Sequence, residues 1–160
     1  DTVNLRKTRP FTINDSEYYQ PKKSVINIIS GDSRLELDFS AYLDRCEDVV
    51  SFGKNFFAVN FKLDYQNADG NISYYYPDFL VRLTSLSNKE ELYVVETKGR
   101  EDLDVPLKMN RLKQWCKDVN EIPNAKQIWN FLYVPQGDFE DYVDSLKSFR
   151  DLAKICKEYQ

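Results

Sequence analysis

The 160-residue sequence predicts an α/β fold, a mixed four-stranded sheet flanked by helices. Three observations carry that expectation. A helical repeat that opens near Ser33 is followed by aromatic and β-branched stretches separated by turn residues. The all-apolar Leu92-Tyr-Val-Val suits a central strand covered on both faces. That strand, the helical segment after Gly99 and the apolar residues 127–134 form a βαβ crossover, which makes its two strands parallel.

Taken in order, residues 1–30 are polar and basic, with Pro10, Pro21 and Lys22-Lys23 ahead of the apolar Val25-Ile-Asn-Ile-Ile29. They read as an arm across the domain, with room for one edge strand; the domain proper spans 31–160. Gly31-Asp32 breaks the arm, and Ser33-Arg-Leu-Glu36 has the form of a capping box. Leu35, Phe39, Tyr42, Leu43, Cys46, Val49 and Val50 then follow at helical spacing, which predicts a helix over 33–50. Residues 56–65 predict the first strand, and Asn67-Ala-Asp-Gly70 a turn. Residues 72–84 predict the second strand, interrupted at Pro77, and 92–98 the third. Leu107, Leu112, Trp115, Cys116 and Val119 mark the crossover helix, and Pro135 closes the fourth strand at 127–134. Residues 138–159 predict a terminal helix, giving the order αβββαβα.

The chain has 22 Lys plus Arg against 26 Asp plus Glu, a net charge of −4, no histidine and three cysteines. Without histidine there is no His-based triad, no His general base, no HExxH zinc site and no His-Cys metal site. The net charge argues against binding nucleic acid by bulk electrostatics. Cys46, Cys116 and Cys156 have no CxxC spacing and read as reduced, buried thiols of a cytoplasmic protein. No uncharged apolar run approaches the ~18 residues of a membrane span, so no membrane partner is expected. The five glycines form no phosphate loop of the GxxxxGK[ST] type. The start at Asp1, without an initiator Met or a signal sequence, suggests a piece of a larger protein.

The chemistry concentrates around Pro77. If the turn after the second strand centres near Ser87-Asn88, paired residue numbers sum to about 174–176. Asp78 then lies opposite or diagonal to Glu96 or Lys98, and Glu96 and Lys98 share one face. Thr97 points the other way, with its main-chain carbonyl near the same place. Two carboxylates and a carbonyl suit a hard divalent cation such as Mg²⁺, which prefers oxygen ligands and keeps several waters. A neighbouring lysine would orient a water and stabilise charge developing on phosphorus.

Pro77-Asp78 followed by Glu96-Thr-Lys98, in this element order, resembles the PD-(D/E)xK nuclease superfamily. The wider pattern is similar to the C-terminal endonuclease domain of type III restriction enzymes (restriction subunit). It comprises Lys23-Ser24 with Asn27, Asp32-Ser33 with Glu36, Phe52-Gly-Lys-Asn55, Tyr76-Pro-Asp-Phe-Leu80, Val95-Glu-Thr-Lys-Gly-Arg100, and Lys108 with Trp115-Cys116. The resemblance covers most of residues 8–135. It implies a restriction-endonuclease-like αβββαβ core and a Mg²⁺-dependent endonuclease domain, Mn²⁺ substituting, that hydrolyses double-stranded DNA. By that likeness Asp78 and Glu96 bind metal, Thr97 adds its carbonyl and Lys98 is the catalytic lysine. The likeness also implies a helicase-like motor that uses ATP, absent from this chain, and a methyltransferase subunit as partner.

Several residues keep two readings. Glu36 either closes the capping box or supports the metal site from the first helix. Lys108 is a solvated helix residue or a phosphate contact. Lys22 and Lys23, with Arg6, Lys7 and Arg9, form a basic arm that is either solvated or set against a DNA backbone. Trp115 and Cys116 read as core, and the tyrosines as strand formers with scope for base stacking. At the level of function, the alternatives are a non-catalytic DNA-binding or assembly module with the nuclease fold, and a repair nuclease or exonuclease of the same superfamily.

Overall fold

Ser33 starts the first long helix, α1 (Arg34–Arg45), by accepting a hydrogen bond from the Glu36 N–H, as the capping box predicts. The computed structural model that shows this describes residues 4–13 and 16–160. Residues 1–3 and 14–15 of the predicted arm, the Asp1 start included, lie outside the described residues. Before α1 the arm forms a 3₁₀ turn at Leu5–Lys7 and a two-stranded ladder, β1 (Tyr18–Tyr19) with β2 (Ile29–Ser30). A Cβ at Gly31 would sit 2.5 Å from the Ser33 carbonyl, so the turn into α1 needs glycine.

After α1 come β3 (Val49–Lys54), β4 (Leu63–Gln66), β5 (Ile72–Tyr75), β6 (Phe79–Leu83) and β7 (Glu90–Lys98). They are followed by α2 (Val105–Asn120), β8 (Gln127–Pro135), α3 (Gln136–Tyr142) and α4 (Phe149–Ile155). The main sheet has four strands in the order β3-β6-β7-β8, antiparallel except for the parallel β7–β8 pair. β7 is interior to it, as its apolar run predicts. The αβββαβ order holds, with a β4–β5 hairpin inserted between the first two strands of the sheet.

Three boundaries differ from the sequence expectation. The first sheet strand is β3 at 49–54 rather than 56–65, and α1 stops at Arg45 rather than 50. Val49 belongs to the strand because the sheet face, like the helix face, buries it in the same core. The aromatic content of 56–65 serves other ends, and only 63–66 is strand, paired with 72–75 in the separate hairpin. Pro77 divides the predicted 72–84 strand into β5 and β6, which lie in different sheets. The predicted terminal helix is also two helices. Ser148 accepts the Asp151 N–H, and Asp48 accepts the N–H groups of Phe149 and Arg150, which starts a new helix there.

One core lies between the sheet and α1, α3 and α4, around Phe39, Tyr42, Phe79, Phe139 and Phe149. The other lies under α2 and the hairpin, around Leu80, Val94, Met109, Leu112 and Tyr133. Alternation therefore sends Val95 to the first face and Val94 to the second. The three cysteines are free and buried. No helix among the described residues is long and apolar enough to cross a membrane.

Phe39 packs against Tyr42, Phe79 and Phe139 with ring centroids 5.2–6.1 Å apart and is fully buried. Phe39→Ala is expected to cost about 3–5 kcal/mol, read as a lower midpoint in urea unfolding with an unchanged slope.

Candidate active site

Proline has no N–H to continue a ladder, so the chain leaves the hairpin at Pro77 and enters β6 one residue later. Asn55, at the end of β3, fixes that crossing. Its Nδ2 donates to the carbonyls of Pro77 (2.8 Å) and Phe61 (2.7 Å), and its backbone N–H donates to the Asp78 carbonyl at 2.7 Å. On the other side the Asp78 N–H donates to the Val95 carbonyl at 3.1 Å. The β6–β7 register pairs Phe79 with Val95 and Leu80 with Val94, numbers that sum to 174 as the turn position predicts. Asp78 thereby stands beside Glu96.

The Asp78 carboxylate is held by Thr97. Its Oδ2 accepts from both the Thr97 backbone N–H and the Thr97 hydroxyl, each at 2.7 Å. The threonine expected to contribute only a main-chain atom thus uses its side chain as well. Glu96 is 7% exposed, and its Oε2 accepts from the Tyr75 hydroxyl at 2.9 Å. Lys98, at the end of β7, donates to Asp102 at 3.0 Å in the loop before α2.

Charge is in deficit here. Burial, then the nearby Glu36 carboxylate, pushes Asp78 up from 3.8 to about 6, against the pull of the Thr97 hydrogen bonds and Lys54. Burial and the Asp78 charge push Glu96 well above the usual carboxylate range, with Tyr75, Lys98 and Lys108 opposing. For Lys98, burial alone would lower the pKa. The hydrogen bond to Asp102 and the charges of Asp102, Glu96 and Asp78 outweigh it and raise it. Asp102 is lowered, first by its hydrogen bond from Lys98.

Glu36 sits in the first turn of α1, and its Oε2 accepts from the Asp32 N–H at 2.7 Å and from Lys54 at 2.6 Å. It serves the helix end, as the capping reading has it, and also neutralises a buried lysine. Lys54 is 5% exposed and donates to the Ser30 carbonyl at 3.1 Å. Lys54, Asn55 and Tyr75 were not singled out as site residues by spacing. The first two stand in the Phe52-Gly-Lys-Asn55 motif, which is the signal that points to them; Tyr75 has none.

Lys108, on α2, lies near enough to act on Glu96 and Asp102, with its ammonium 5.8 Å from the Tyr65 ring centroid. Lys22 and Lys23 are elsewhere. Their backbone N–H groups donate to Asp44, and the Lys23 ammonium donates to the Cys46 carbonyl at the far end of α1. Ten residues of helix separate Cys46 from Glu36, about 15 Å.

A divalent cation fits the donor set. Among the described residues, Asp78 Oδ1 and Glu96 Oε1 accept no hydrogen bond, which leaves one free oxygen on each carboxylate. No three acidic or thiol side chains among the described residues converge to hold a metal on their own. Two carboxylates with a main-chain carbonyl and waters match a hard cation such as Mg²⁺.

The model of the RE_endonuc family, described as an endonuclease domain, matches residues 22–119, more than half of the chain. That span includes Glu36, Lys54, Asp78, Glu96, Lys98 and Lys108. No curated protein and no solved structure matches the chain.

Two measurements check this electrostatic picture. Lys54→Met leaves Glu36 buried without its cation and is expected to cost about 3–5 kcal/mol, whereas Lys54→Met with Glu36→Leu recovers most of the loss. Urea unfolding of the three variants reads the difference. For Asp78, the folded pKa is raised, so the fold keeps a proton that the unfolded chain has already released. Stability therefore falls as pH rises from about 4 to about 6 and stays low above that. In chelator, Asp78→Asn is expected to be more stable than the natural chain at pH 7, by an amount on the order of 2 kcal/mol, and equal to it near pH 4.

Proposed function

Because the chain belongs to the endonuclease-domain family, we propose that it is a Mg²⁺-dependent deoxyribonuclease hydrolysing phosphodiester bonds in double-stranded DNA. The observation that carries this reading is the pairing of Asp78 and Glu96. The two carboxylates are pushed up by burial and by negative charge, each keeps a free oxygen, and Lys98 flanks them.

In this reading Asp78 and Glu96 hold the cation, with the Thr97 carbonyl as a third ligand. Mn²⁺ is an acceptable substitute on the same oxygen ligands. A bound Mg²⁺ supplies Lewis acidity at a phosphate oxygen and lowers the pKa of the attacking water. Thr97 keeps the Asp78 carboxylate in one orientation by two hydrogen bonds, so the ligand set is organised before substrate arrives. Lys98 remains protonated and presents positive charge to the water and to the pentacovalent phosphorus, with Asp102 restraining its ammonium. Tyr75 orients Glu96. Glu36 acts at one remove, by fixing Lys54 beside Asp78. Lys108 supplies a phosphate contact at the rim.

The motif string from Lys23 to Cys116 further supports a place in a type III restriction enzyme. There the domain works with a helicase-like ATP-driven motor and a methyltransferase subunit, in the cytoplasm. Delivery of DNA then belongs to the motor and site recognition to the partner subunit.

Supercoiled and linear DNA are expected to be cleaved by the intact enzyme in Mg²⁺ or Mn²⁺ and left whole in EDTA. Asp78→Asn, Glu96→Gln and Lys98→Ala are each expected to lose activity by about 10³-fold or more, in line with removal of a charge-stabilising group. Equal cleavage by the natural enzyme and all three variants overturns the assignment. Mg²⁺ is expected to raise the Tm of the natural chain at neutral pH, and Asp78→Asn to remove that shift.

A further inference from the structure

The basic arm is not accounted for by the catalytic chemistry, and the structure gives it a position. Residues 4–11 border a groove of about 1440 Å³ on the α2 side of the sheet, which residues 58–64, the loop into β4 and its first two residues, also line. Leu80, Arg82 and Leu92 line the groove between them. Leu5 anchors the segment to β3, where a Cβ at Gly53 would stand 3.5 Å from the leucine methyl group.

The charge of this groove runs against that of the molecule. Its lining carries the cations Arg6, Lys7, Arg9, Lys62 and Arg82 and the acids Asp64 and Glu90, a surplus of three positive charges in a chain of net charge −4. Arg82 is paired with Glu90, and its Nε finds no acceptor among the described residues. Arg6, Lys7, Arg9 and Lys62 are exposed and enter no ion pair among the described residues. Aromatic surface lies among them. The Tyr74 ring is 62% exposed with the Lys62 ammonium 4.2 Å from its centroid, and Phe11, also in the lining, is 38% exposed.

We propose that this groove is a nucleic-acid track, in which Arg6, Lys7, Arg9 and Lys62 neutralise backbone phosphates and the Tyr74 ring stacks on a base. The identification of the polymer rests on the nuclease reading; the cation surplus and the aromatic face do not. Unpaired cations interleaved with exposed rings are the combination that holds a strand without reading its sequence. The hairpin that carries Tyr74 on its outer face presents the next residue, Tyr75, inward to Glu96. One strand of the protein therefore touches both the track and the catalytic carboxylates.

The test is fluorescence anisotropy with a DNA duplex bearing a single-stranded overhang, using the full chain in EDTA between about 50 and 300 mM salt. Arg6→Ala, Lys7→Ala and Arg9→Ala combined are expected to reduce the slope of log K against log salt by about 2–3. Tyr74→Ala is expected to weaken binding about tenfold with the slope unchanged. Lys147→Ala, Lys154→Ala and Lys157→Ala combined form the charge-matched control, and circular dichroism confirms that each variant folds. Natural affinity and slope in the arm variant, an equal loss in the control, or no DNA binding by the natural chain overturns the proposal. Asp78→Asn separates the two readings, since it should bind as the natural chain does and not cleave. If it cleaves normally while the arm variant loses binding, the catalytic assignment fails and the track stands.

Discussion

Two carboxylates placed side by side in a protein interior repel each other and each forfeits hydration, and the Asp78–Glu96 pair meets both costs at once. The surrounding cations do not cancel the deficit. Lys54 is committed to Glu36 at 2.6 Å, and Lys98 to Asp102 at 3.0 Å. Both lysines are therefore engaged by other carboxylates, and among the described residues Asp78 and Glu96 enter no ion pair of their own. A fold retains such an imbalance only where neighbouring structure over-determines it, and here nearly every neighbour does. Thr97 grips Asp78 by two donors, Tyr75 grips Glu96 by one, and the Asp78 main chain is bonded on both sides.

Asn55 shows how far that over-determination goes. Its Nδ2 serves two carbonyls, yet its Oδ1 is buried with no donor among the described residues. Turning the amide over would satisfy nothing, because Oδ1 would then face two carbonyl oxygens and both would lose their donor. One orphaned acceptor costs less than two orphaned carbonyls and a repulsion. The orphan is thus a consequence of holding Pro77 and Phe61 together, which bends the chain out of the hairpin and into β6. The hairpin is tied down in turn at the start of α2, where Asp104 accepts from the Tyr65 hydroxyl (2.8 Å) and the Ala68 N–H (2.9 Å).

What could be read from the sequence was what depends on local rules. The Ser33 cap, the parallel β7–β8 pair and the register that brings Asp78 beside Glu96 follow from capping chemistry, crossover topology and turn position. The first sheet strand was misplaced because 56–65 has the stronger β composition, whereas β3 owes its place to contacts with β6 distant in sequence. The split of the last helix was written in Ser148 and Asp151, a cap signal outweighed by an apolar periodicity that runs through it. Lys54 was beyond local rules altogether. A lysine is usually solvated, and nothing near it in sequence says that Glu36, eighteen residues earlier, will bury with it.

The net charge of −4 is a coarse guide for a related reason, since a sum over the chain contains no positions. Glu36, Asp78, Glu96 and Asp102 gather at one end of β7, while the groove lined by Arg6, Lys7, Arg9 and Lys62 reaches Glu90 and Leu92 at the other. Six residues of strand separate Glu90, at the far end of the groove, from Glu96, about 20 Å or roughly two and a half Debye lengths at physiological salt. Screening therefore separates the acidic cluster from the far end of the groove, not from the end at Tyr74. In the two proposals an acidic protein holds a cation and a polyanion on one sheet, and it is the positions of its charges, not their sum, that make room for both.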